Sequence, residues 1–236
     1  MAEASEFASH EIRVFTMLAS AGFAPATVFD IGAANGSWSA LIANSVFPDA
    51  VFQMFEPLAK LNEGFEKGLR FQMQYHPKFV LHEVALGAEC KDVTMRVHPD
   101  GYGSTTLEMG DDPDYQTRLT VPQHTLDQYV HDHELPLPDL IKLDTQGAEW
   151  AILSQAERCL KQAAVVFAET WFCRGYGPQT PLITELRDLL DRNEFELADL
   201  GHQFYDGNHR LYGCDAFFLK RSFLERVAPA MPPGPW

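Results

Sequence analysis

The chain has 236 residues, of which 46% are hydrophobic, and its 18 lysines and arginines stand against 33 aspartates and glutamates. This length suffices for one well-buried α/β domain with an added helix or hairpin, and a second domain is not expected. The formal net charge of −15 disfavours nucleic acid as a partner, because DNA and RNA binding depends on basic side chains that neutralise phosphates.

The N-terminal segment is acidic and has no basic stretch followed by an apolar one, so no signal peptide is expected. Phe7, Phe15 and Leu18 recur among polar residues, which predicts an amphipathic helix over 5–21 that ends at Gly22. No apolar run approaches about 18 residues, so no transmembrane segment is predicted. The four cysteines include no C-x-x-C pair, which favours reduced thiols and a cytoplasmic location.

Residues 27–44 contain a glycine loop between an apolar strand and a helix. Asp30 closes the strand, Gly32 and Gly36 bracket a tight turn, and apolar residues then recur at helical spacing. A ligand can approach the backbone closely only where no Cβ intervenes, and the helix offers unpaired N–H groups. The segment therefore predicts the first βα turn of a nucleotide-binding α/β domain, although a glycine turn without a ligand remains an alternative.

The spacing of these glycines separates two kinds of cofactor. Dinucleotide folds use G-x-G-x-x-G, whereas no glycine stands between Gly32 and Gly36 here. The next strand, 50–55, ends in Glu56, about twenty residues beyond the loop, where an acidic side chain meets ribose hydroxyls in this topology. The pattern favours S-adenosylmethionine over NAD.

The middle of the chain continues the alternation. A helix is predicted over 58–72 and a strand over 79–86, and the small residue Ala85 near the strand's tip suits contact with an adenine ring. Within 92–120, the alternation in VTMRVH predicts a strand with which 119–121 can pair, and the residues between them are rich in Gly, Ser, Thr, Asp and Pro. The region is too long for a plain connector. We expect a substrate loop there, with a mobile surface insertion as the alternative.

A second strand–turn–helix unit lies between residues 139 and 160. Its strand, 140–143, is apolar and ends in Asp144, and a helix follows over 148–160. Ligands of open parallel sheets bind beyond the carboxyl ends of the strands, so we expect Asp144 to face the same crevice as Glu56. Glu149 falls in the first helical turn, where it complements the helix dipole.

A fifth strand, 164–169, ends in Glu169 and is followed by Trp171 and Phe172 in front of a glycine-rich loop. Together with Tyr102 and Tyr176, these aromatic residues are candidates for stacking on an acceptor. The remaining pattern predicts a helix at 180–192, strands at 195–200 and 215–220, a loop at 201–213, and a proline-rich tail at 223–236 after a single domain at 1–222.

Three segments together resemble the FkbM-type family of S-adenosylmethionine-dependent methyltransferases. They are DIGAANGSWS at 30–39, TLDQY at 125–129 and IKLDTQGAEWAIL at 141–153, supported by FEP at 55–57, VALG at 84–87 and GSTTL at 103–107. The resemblance implies a Rossmann-like class I methyltransferase sandwich: a mostly parallel sheet with helices on both faces and a leading N-terminal helix.

The resemblance also assigns roles to residues. Members typically methylate hydroxyl oxygens, often on sugars of glycans, glycolipids or secondary metabolites. The implied cofactor-binding residues are Asp30, Gly32, Asn35, Gly36, Ser37, Glu56 and Ala85, and the candidate substrate-binding residues are Tyr102, Ser104, Trp171 and Phe172. The chain departs from the family pattern at Ala34, which holds a usual Asn position, and at Gln146, which replaces a Glu of the later D-x-E-G-x-E motif.

Methyl transfer to oxygen benefits from a base that contacts the hydroxyl proton. Asp144 is the first candidate for that base and Glu169 the second, while His98 and His124 are further possibilities. A magnesium ion between the two carboxylates is an alternative that the neutral Gln146 weakens. Three other functions remain open: methylation of a polyketide or phenolic hydroxyl, a nicotinamide-dependent oxidoreductase, and a cofactor-binding scaffold without activity.

Overall fold

The structure, a computed structural model, describes residues 2–110 and 112–227. In chain order the elements are α1 (Ala2–Ser20), β1 (Thr27–Ile31), α2 (Ser37–Ser45), β2 (Val51–Phe55), α3 (Glu63–Tyr75), β3 (Phe79–His82), β4 (Ala85–Leu86), β5 (Lys91–Val97), β6 (Thr117–His124), α4 (Leu126–Asp132), β7 (Leu140–Leu143), α5 (Glu149–Leu153), α6 (Glu157–Gln162), β8 (Val165–Trp171), α7 (Ile183–Arg192), β9 (Phe195–Tyr205), β10 (Leu211–Lys220) and α8 (Arg221–Val227).

A seven-stranded sheet in the order β3-β2-β1-β7-β8-β10-β9 forms the centre of the molecule. Neighbours from β3 to β8 pair in parallel, and β10 runs antiparallel to both β8 and β9. The chain reverses its direction of travel across the sheet between β1 and β7, and a crevice opens beyond the carboxyl ends of strands at such a reversal. This mostly parallel sheet confirms the predicted fold class.

Helices cover both faces of the sheet because its central strands are apolar on both sides. One face is covered by α1, α2, α3 and α8, and their buried contacts include Phe15, Ile42, Leu69 and Phe223. The other face is covered by α4, α5, α6 and α7, with Leu126, Ile152, Leu160 and Leu190 among the buried side chains. The leading helix is therefore part of the core; the side chain of Phe7 lies outside the described residues.

The region expected to be a substrate loop contains a second sheet. The strand predicted over 79–86 divides into β3 and β4, and β4 leaves the main sheet to pair with β6, which pairs in turn with β5. Between β5 and β6, the described residues 98–110 and 112–116 are loop, with a short 3-10 helix at Pro113–Tyr115. The strand predicted from VTMRVH and its pairing with 119–121 are therefore confirmed.

Three further boundaries differ from the sequence prediction. The helix expected over 148–160 is broken into α5 and α6, and the loop expected at 201–213 is mostly a hairpin, because β9 continues to Tyr205 and β10 starts at Leu211. The domain does not end at residue 222, since Phe223 and Val227 of α8 are buried in the core. The rest of the expected tail, 228–236, lies outside the described residues.

Among the described helices, none combines the length and the apolar character that crossing a bilayer requires.

Candidate active site

A cavity lies at the carboxyl ends of β1, β2 and β7. The three strands contribute Gly32, Glu56 and Asp144 to its walls, while Ala85 and Tyr102 close it from the second sheet and the loop that follows β5. Its position at the reversal of strand order is the position that open parallel sheets use for ligand binding.

The glycine turn after β1 is shaped by close backbone contacts. Gly32 has a φ of +79°, and a Cβ at this position would lie 1.9 Å from the carbonyl oxygen of Asp144. The backbone N–H groups of Gly32 and Ala33 both donate to the carbonyl oxygen of Phe55, at 3.0 and 3.1 Å. The turn is thus held against the ends of β2 and β7, and only glycine fits at residue 32.

Glu56 is the buried carboxylate of the cavity. Its two oxygens accept hydrogen bonds from different backbone groups, Oε2 from the N–H of Ala34 and Oε1 from the N–H of Leu58, each at 2.8 Å. Burial, opposed by these hydrogen bonds, raises the pKa of Glu56 to about 7. Because each oxygen of an ionised carboxylate has two lone pairs, both oxygens can accept one further hydrogen bond from a ligand such as a ribose.

The wall next to Glu56 is apolar. Leu58, Val84, Ala85 and Leu86 line it and are nearly fully buried, so it offers a flat ring an environment without competing polar groups. This wall, together with Glu56 and the open backbone at Gly32, fits the adenine, ribose and amino-acid parts of S-adenosylmethionine in that order.

The loop after β5 covers the outer side of the cavity. Tyr102 and Ser104 line the cavity, and the hydroxyl oxygen of Tyr102 accepts a hydrogen bond from Asn35 Nδ2 at 2.9 Å. The ring of Tyr102 also packs edge-on against Phe65, with centroids 5.1 Å apart. Because Asn35 belongs to the glycine turn, these contacts connect the covering loop to the opposite rim of the cavity.

Four of the seven predicted cofactor residues do not line the cavity: Asp30, Asn35, Gly36 and Ser37. Asp30 is fully buried on the α1 side of the sheet, where it accepts a hydrogen bond from Ser39 Oγ at 2.7 Å and pairs with Lys142 Nζ at 2.9 Å. Asp30 therefore lies outside the cavity wall, and its expected contact with the cofactor stays a prediction.

Lys142 connects the ends of β1 and β7. Its Nζ donates to the carbonyl oxygen of Gly32 at 2.8 Å and lies 3.9 Å from Asp144 Oδ2, besides its pairing with Asp30. Burial disfavours the charged form of Lys142, but the nearby carboxylates of Asp30 and Asp144 outweigh this effect and raise its pKa. Asp30 and Lys142 thus support the glycine turn from below. A single charged residue in an otherwise apolar buried strand, here Lys142, is the sequence signal for such a buried pair.

Asp144 is the half-exposed carboxylate at the end of β7. It lines the cavity, and 48% of its side chain is accessible to solvent. Its Oδ1 accepts a hydrogen bond from Gln146 Nε2 at 2.7 Å, and the same nitrogen donates to Glu169 Oε2 at 3.0 Å. The carboxyl groups of Asp144 and Glu169, the two candidates for the base, are therefore close together, with an amide between them.

Glu169 does not line the cavity, and its expected role as the alternative base stays a prediction. Burial, together with the nearby Asp144, Glu149 and Asp215 carboxylates, raises the pKa of Glu169 well above its usual value. Because the surroundings of Glu169 favour its protonated form and it lies outside the cavity wall, Asp144 stays the first candidate for the base.

The predicted aromatic residues divide into two groups. Tyr102 lines the cavity, whereas Trp171 and Phe172 do not. Trp171 is buried, with its ring perpendicular to Tyr176 and stacked on Tyr212, so it is not a free stacking surface as expected. Phe172 is 40% exposed at the same edge of the sheet, and Tyr176 donates its hydroxyl hydrogen to Gln146 Oε1.

Glu149 has a larger structural role than its predicted interaction with the helix dipole. It is fully buried, and its Oε1 accepts hydrogen bonds from the backbone N–H and the hydroxyl of Thr145, both at 2.9 Å, and from the N–H of Gly147 at 3.2 Å. Glu149 therefore fixes the turn that carries Asp144 and Gln146.

The other predicted groups contribute little to the cavity. His98 and His124 do not line it, and His98 Nδ1 is 2.6 Å from Asp100 Oδ1. Within residues 2–110 and 112–227, no three His, Cys, Asp or Glu side chains are grouped in a way that would hold a metal ion.

Comparison with known proteins relates this chain to methyltransferases. The model of the methyltransferase FkbM domain matches residues 30–197. A crystal structure of an FkbM methyltransferase from Methylobacillus flagellatus superposes with a TM-score of 0.52 at 15% identity, covering 81% of this chain. The chain spans only 43% of the length of that protein.

A second similar structure is a magnesium protoporphyrin IX methyltransferase from Synechocystis with bound S-adenosylmethionine. It superposes with a TM-score of 0.51 at 12% identity, over 90% of this chain and 77% of the other. No curated protein sequence matches the chain. At these identities the two superpositions concern the fold, and the family assignment rests on the domain model.

Proposed function

The chain belongs to the FkbM methyltransferase family, and from that premise we propose that it transfers the methyl group of S-adenosylmethionine to a hydroxyl oxygen of a sugar. The sugar would belong to a glycan, a glycolipid or a glycosylated metabolite. The observation that carries the proposal is the half-exposed Asp144 carboxylate, which opens on the same cavity as the ribose-binding candidate Glu56.

The cofactor fits the groups that line the cavity. Glu56 accepts the ribose hydroxyls, the apolar wall around Ala85 takes the adenine, and the amino-acid end lies against the glycine turn, which Gly32 allows to pack directly on the backbone of Asp144. When bound, S-adenosylmethionine supplies an electrophilic methyl group on a sulfonium. The walls also exclude water from the apolar side of the cavity.

Asp144 gives the site a preference for hydroxyl acceptors. A hydroxyl is a weak nucleophile near neutrality, and a carboxylate that accepts its proton as the C–O bond forms and the C–S bond breaks typically contributes 10²–10⁴-fold in rate. Gln146 and Lys142 orient Asp144 through the contacts described above. Sugars suit this site because neighbouring hydroxyls can also donate to its carboxylates, and because the net charge of −15 disfavours phosphate-rich acceptors.

The experiment has two stages. Calorimetric titration of the purified chain with S-adenosylhomocysteine and, separately, NAD tests the cofactor; binding of NAD alone contradicts a methyltransferase and favours an oxidoreductase. Transfer of a labelled methyl group is then measured with panels of sugars, phenols, polyketides and amines. Methylation of sugar hydroxyls supports the proposal, and transfer confined to phenols or polyketides replaces the sugar by another hydroxyl acceptor.

Asp144→Asn tests the base. We expect transfer to fall by about 100-fold or more while S-adenosylhomocysteine binds as it does to the unmodified chain. Asp132→Asn is the matched control, because Asp132 lies on α4 away from the cavity. Turnover of Asp144→Asn at the unmodified rate removes Asp144 from the base role.

A further inference from the structure

One amide joins two carboxyl groups at the carboxyl ends of β7 and β8. Gln146 Nε2 lies 2.7 Å from Asp144 Oδ1 and 3.0 Å from Glu169 Oε2, and Tyr176 donates to Gln146 Oε1. A primary amide nitrogen carries two hydrogens, so it can donate one to each carboxyl group. The hydroxyl of Tyr176 fixes which end of the amide faces the carboxyl groups.

The backbone holds Gln146 in this orientation. Its φ is +55°, a left-handed conformation that is uncommon outside glycine, and its carbonyl oxygen accepts a hydrogen bond from Thr105 Oγ1 at 2.8 Å. Glu149 binds the N–H groups of Thr145 and Gly147 on either side. A strained residue held by several hydrogen bonds at a candidate site indicates a built feature rather than a chance contact.

We propose that Gln146 is a positioning residue whose amide takes the place of a divalent cation between Asp144 and Glu169, so that the site orients Asp144 without a metal ion. The catalytic meaning of this arrangement rests on the proposed role of Asp144 in methyl transfer. The claim about metal binding rests on the contacts alone and can be tested separately.

Two neighbouring carboxyl groups need a positive partner or hydrogen-bond donors between them, because like charges at short distance disfavour ionisation of both. Gln146 meets this need with its two N–H groups. A magnesium or manganese ion requires several oxygen ligands, so Gln146 would have to turn its carbonyl oxygen inward. This turn breaks the hydrogen bonds that its amide nitrogen donates to the two carboxyl groups and the one that its oxygen accepts from Tyr176. The raised pKa of Glu169 acts in the same direction, since a metal ligand must lose its proton.

The test replaces the amide by a carboxyl group of the same shape. Mn²⁺ binding to the full chain is measured by electron paramagnetic resonance and calorimetry for the unmodified protein, for Gln146→Glu, and for Gln128→Glu. Gln128 is the matched control because its amide also donates to a carboxylate, Asp132, at 2.7 Å, but to one only. We expect no Mn²⁺ site in the unmodified chain or the control.

Gln146→Glu should bind Mn²⁺ at least about tenfold more tightly than the unmodified chain, because affinity for hard cations rises with the number of carboxylate ligands. Adding Asp144→Asn should remove that gain, and Mn²⁺ should raise the melting temperature of Gln146→Glu but not of the unmodified chain. Micromolar Mn²⁺ binding by the unmodified chain that Asp144→Asn abolishes overturns the proposal. Gln146→Glu binding no better than Gln128→Glu also overturns it.

A second variant covers the case in which Gln146→Glu does not fold, as judged by loss of its cooperative thermal unfolding transition. Gln146→Met keeps the approximate length and removes both donors. With an acceptor found in the transfer assay, the acid limb of the kcat/KM profile of Gln146→Met should lie at higher pH than that of the unmodified chain, because Asp144 loses a donor that favours its ionised form. An unmoved acid limb contradicts the positioning role. The Mn²⁺ titration of the unmodified chain needs no acceptor, so failure of the proposed function and failure of this inference are distinguishable.

Discussion

Glu56→Gln is the most informative change in the cofactor half of the site. Both oxygens of Glu56 already accept backbone N–H groups, those of Ala34 and Leu58, so an amide at this position points its own N–H₂ group at one of two donors. The variant therefore loses one backbone hydrogen bond and one acceptor for the ribose. Hydrogen bonds to charged groups contribute about 1.5–3 kcal/mol each, which predicts a loss of S-adenosylhomocysteine affinity of about 10- to 100-fold.

The pH dependence of S-adenosylhomocysteine affinity gives a second expected change in Kd. Burial raises the pKa of Glu56 to about 7 in the ligand-free protein, and only the ionised carboxylate can accept from both ribose hydroxyls. One pH unit below that pKa about a tenth of the carboxyls are ionised, so the apparent Kd rises about tenfold relative to its plateau at high pH. Binding then releases a proton below pH 7 and none well above it.

The assay is calorimetric titration with S-adenosylhomocysteine between about pH 5.5 and about pH 8.5, in buffers of different ionisation enthalpy that reveal proton release. Glu56→Gln should give a nearly flat profile. Glu63→Gln is the control, because Glu63 lies on α3 near the site but is exposed and pairs with Lys67. The reasoning fails if the unmodified chain binds equally tightly at low and high pH, or if Glu56→Gln keeps full affinity at pH 8.

The same carboxyl has the opposite effect on the ligand-free fold. Glu56 and Glu11, whose burial also raises its pKa to about 7, bind protons more tightly in the folded state than in the unfolded state, where a Glu has its ordinary pKa of 4.5. Their contribution to stability is complete below pH 4.5 and is lost as the pH rises through about 7. We expect this part of the stability to fall between about pH 5 and about pH 8, and S-adenosylhomocysteine to oppose the fall.

Two further predictions concern the walls of the cavity. Gly32→Ala places a Cβ 1.9 Å from the Asp144 carbonyl oxygen at a φ of +79°. This variant should lower the free energy of unfolding by about 3 kcal/mol or more and abolish cofactor binding. The control is Gly22→Ala, where φ is +96° and no atom lies within 4 Å of the added Cβ, and it should lower the free energy of unfolding by only about 1–2 kcal/mol. Equal losses in the two denaturant curves would contradict the close contact. Tyr102→Phe removes the hydrogen bond from Asn35 Nδ2, worth about 0.5–1.5 kcal/mol, and should speed release of S-adenosylhomocysteine by about 2- to 10-fold in stopped-flow fluorescence; an unchanged rate would show that the loop does not hold the ligand.

The sequence suffices to predict the residues that close the strands next to the reversal point. Glu56 follows β2 directly and Asp144 follows β7, and parallel strands bring their carboxyl ends to one edge. Gly32 is predictable because a strand that turns at once into a loop needs a residue that tolerates a positive φ. These three residues all line the cavity.

Sequence reasoning does not reveal on which face of the sheet the cofactor lies. Successive side chains of a strand point to opposite faces, so Asp30 points away from the side of Phe29 and Ile31 and meets Lys142 beneath α1. Ile31, and not Asp30, lines the ligand cavity. Only the packing of the helices decides between these faces, although the lysine in the strand LIKL is a sequence signal that a buried acid lies nearby.

The predicted loop and aromatic residues depend on tertiary contacts. Tyr102 and Trp171 both stand beside glycine-rich segments, but Tyr102 folds over the cavity whereas Trp171 is enclosed by Tyr176 and Tyr212. No local pattern distinguishes an aromatic ring that lines a site from one that supports it. Gln146 was recognisable only as a departure from a family motif, and its two carboxyl partners come from β7 and β8.

Asp144 belongs to both halves of the proposed site through different atoms. A Cβ on Gly32 would lie 1.9 Å from the carbonyl oxygen of Asp144, so this backbone shapes the cofactor turn. The Asp144 carboxylate contacts Gln146 and faces the crevice. A side-chain substitution at Asp144 should therefore impair transfer and leave cofactor affinity intact, whereas a substitution at Gly32 should impair both. The backbone of Asp144 thus serves cofactor binding and its side chain serves acceptor activation. Measuring the two variants side by side separates these functions, and the binding measurement does not require the natural acceptor to be known.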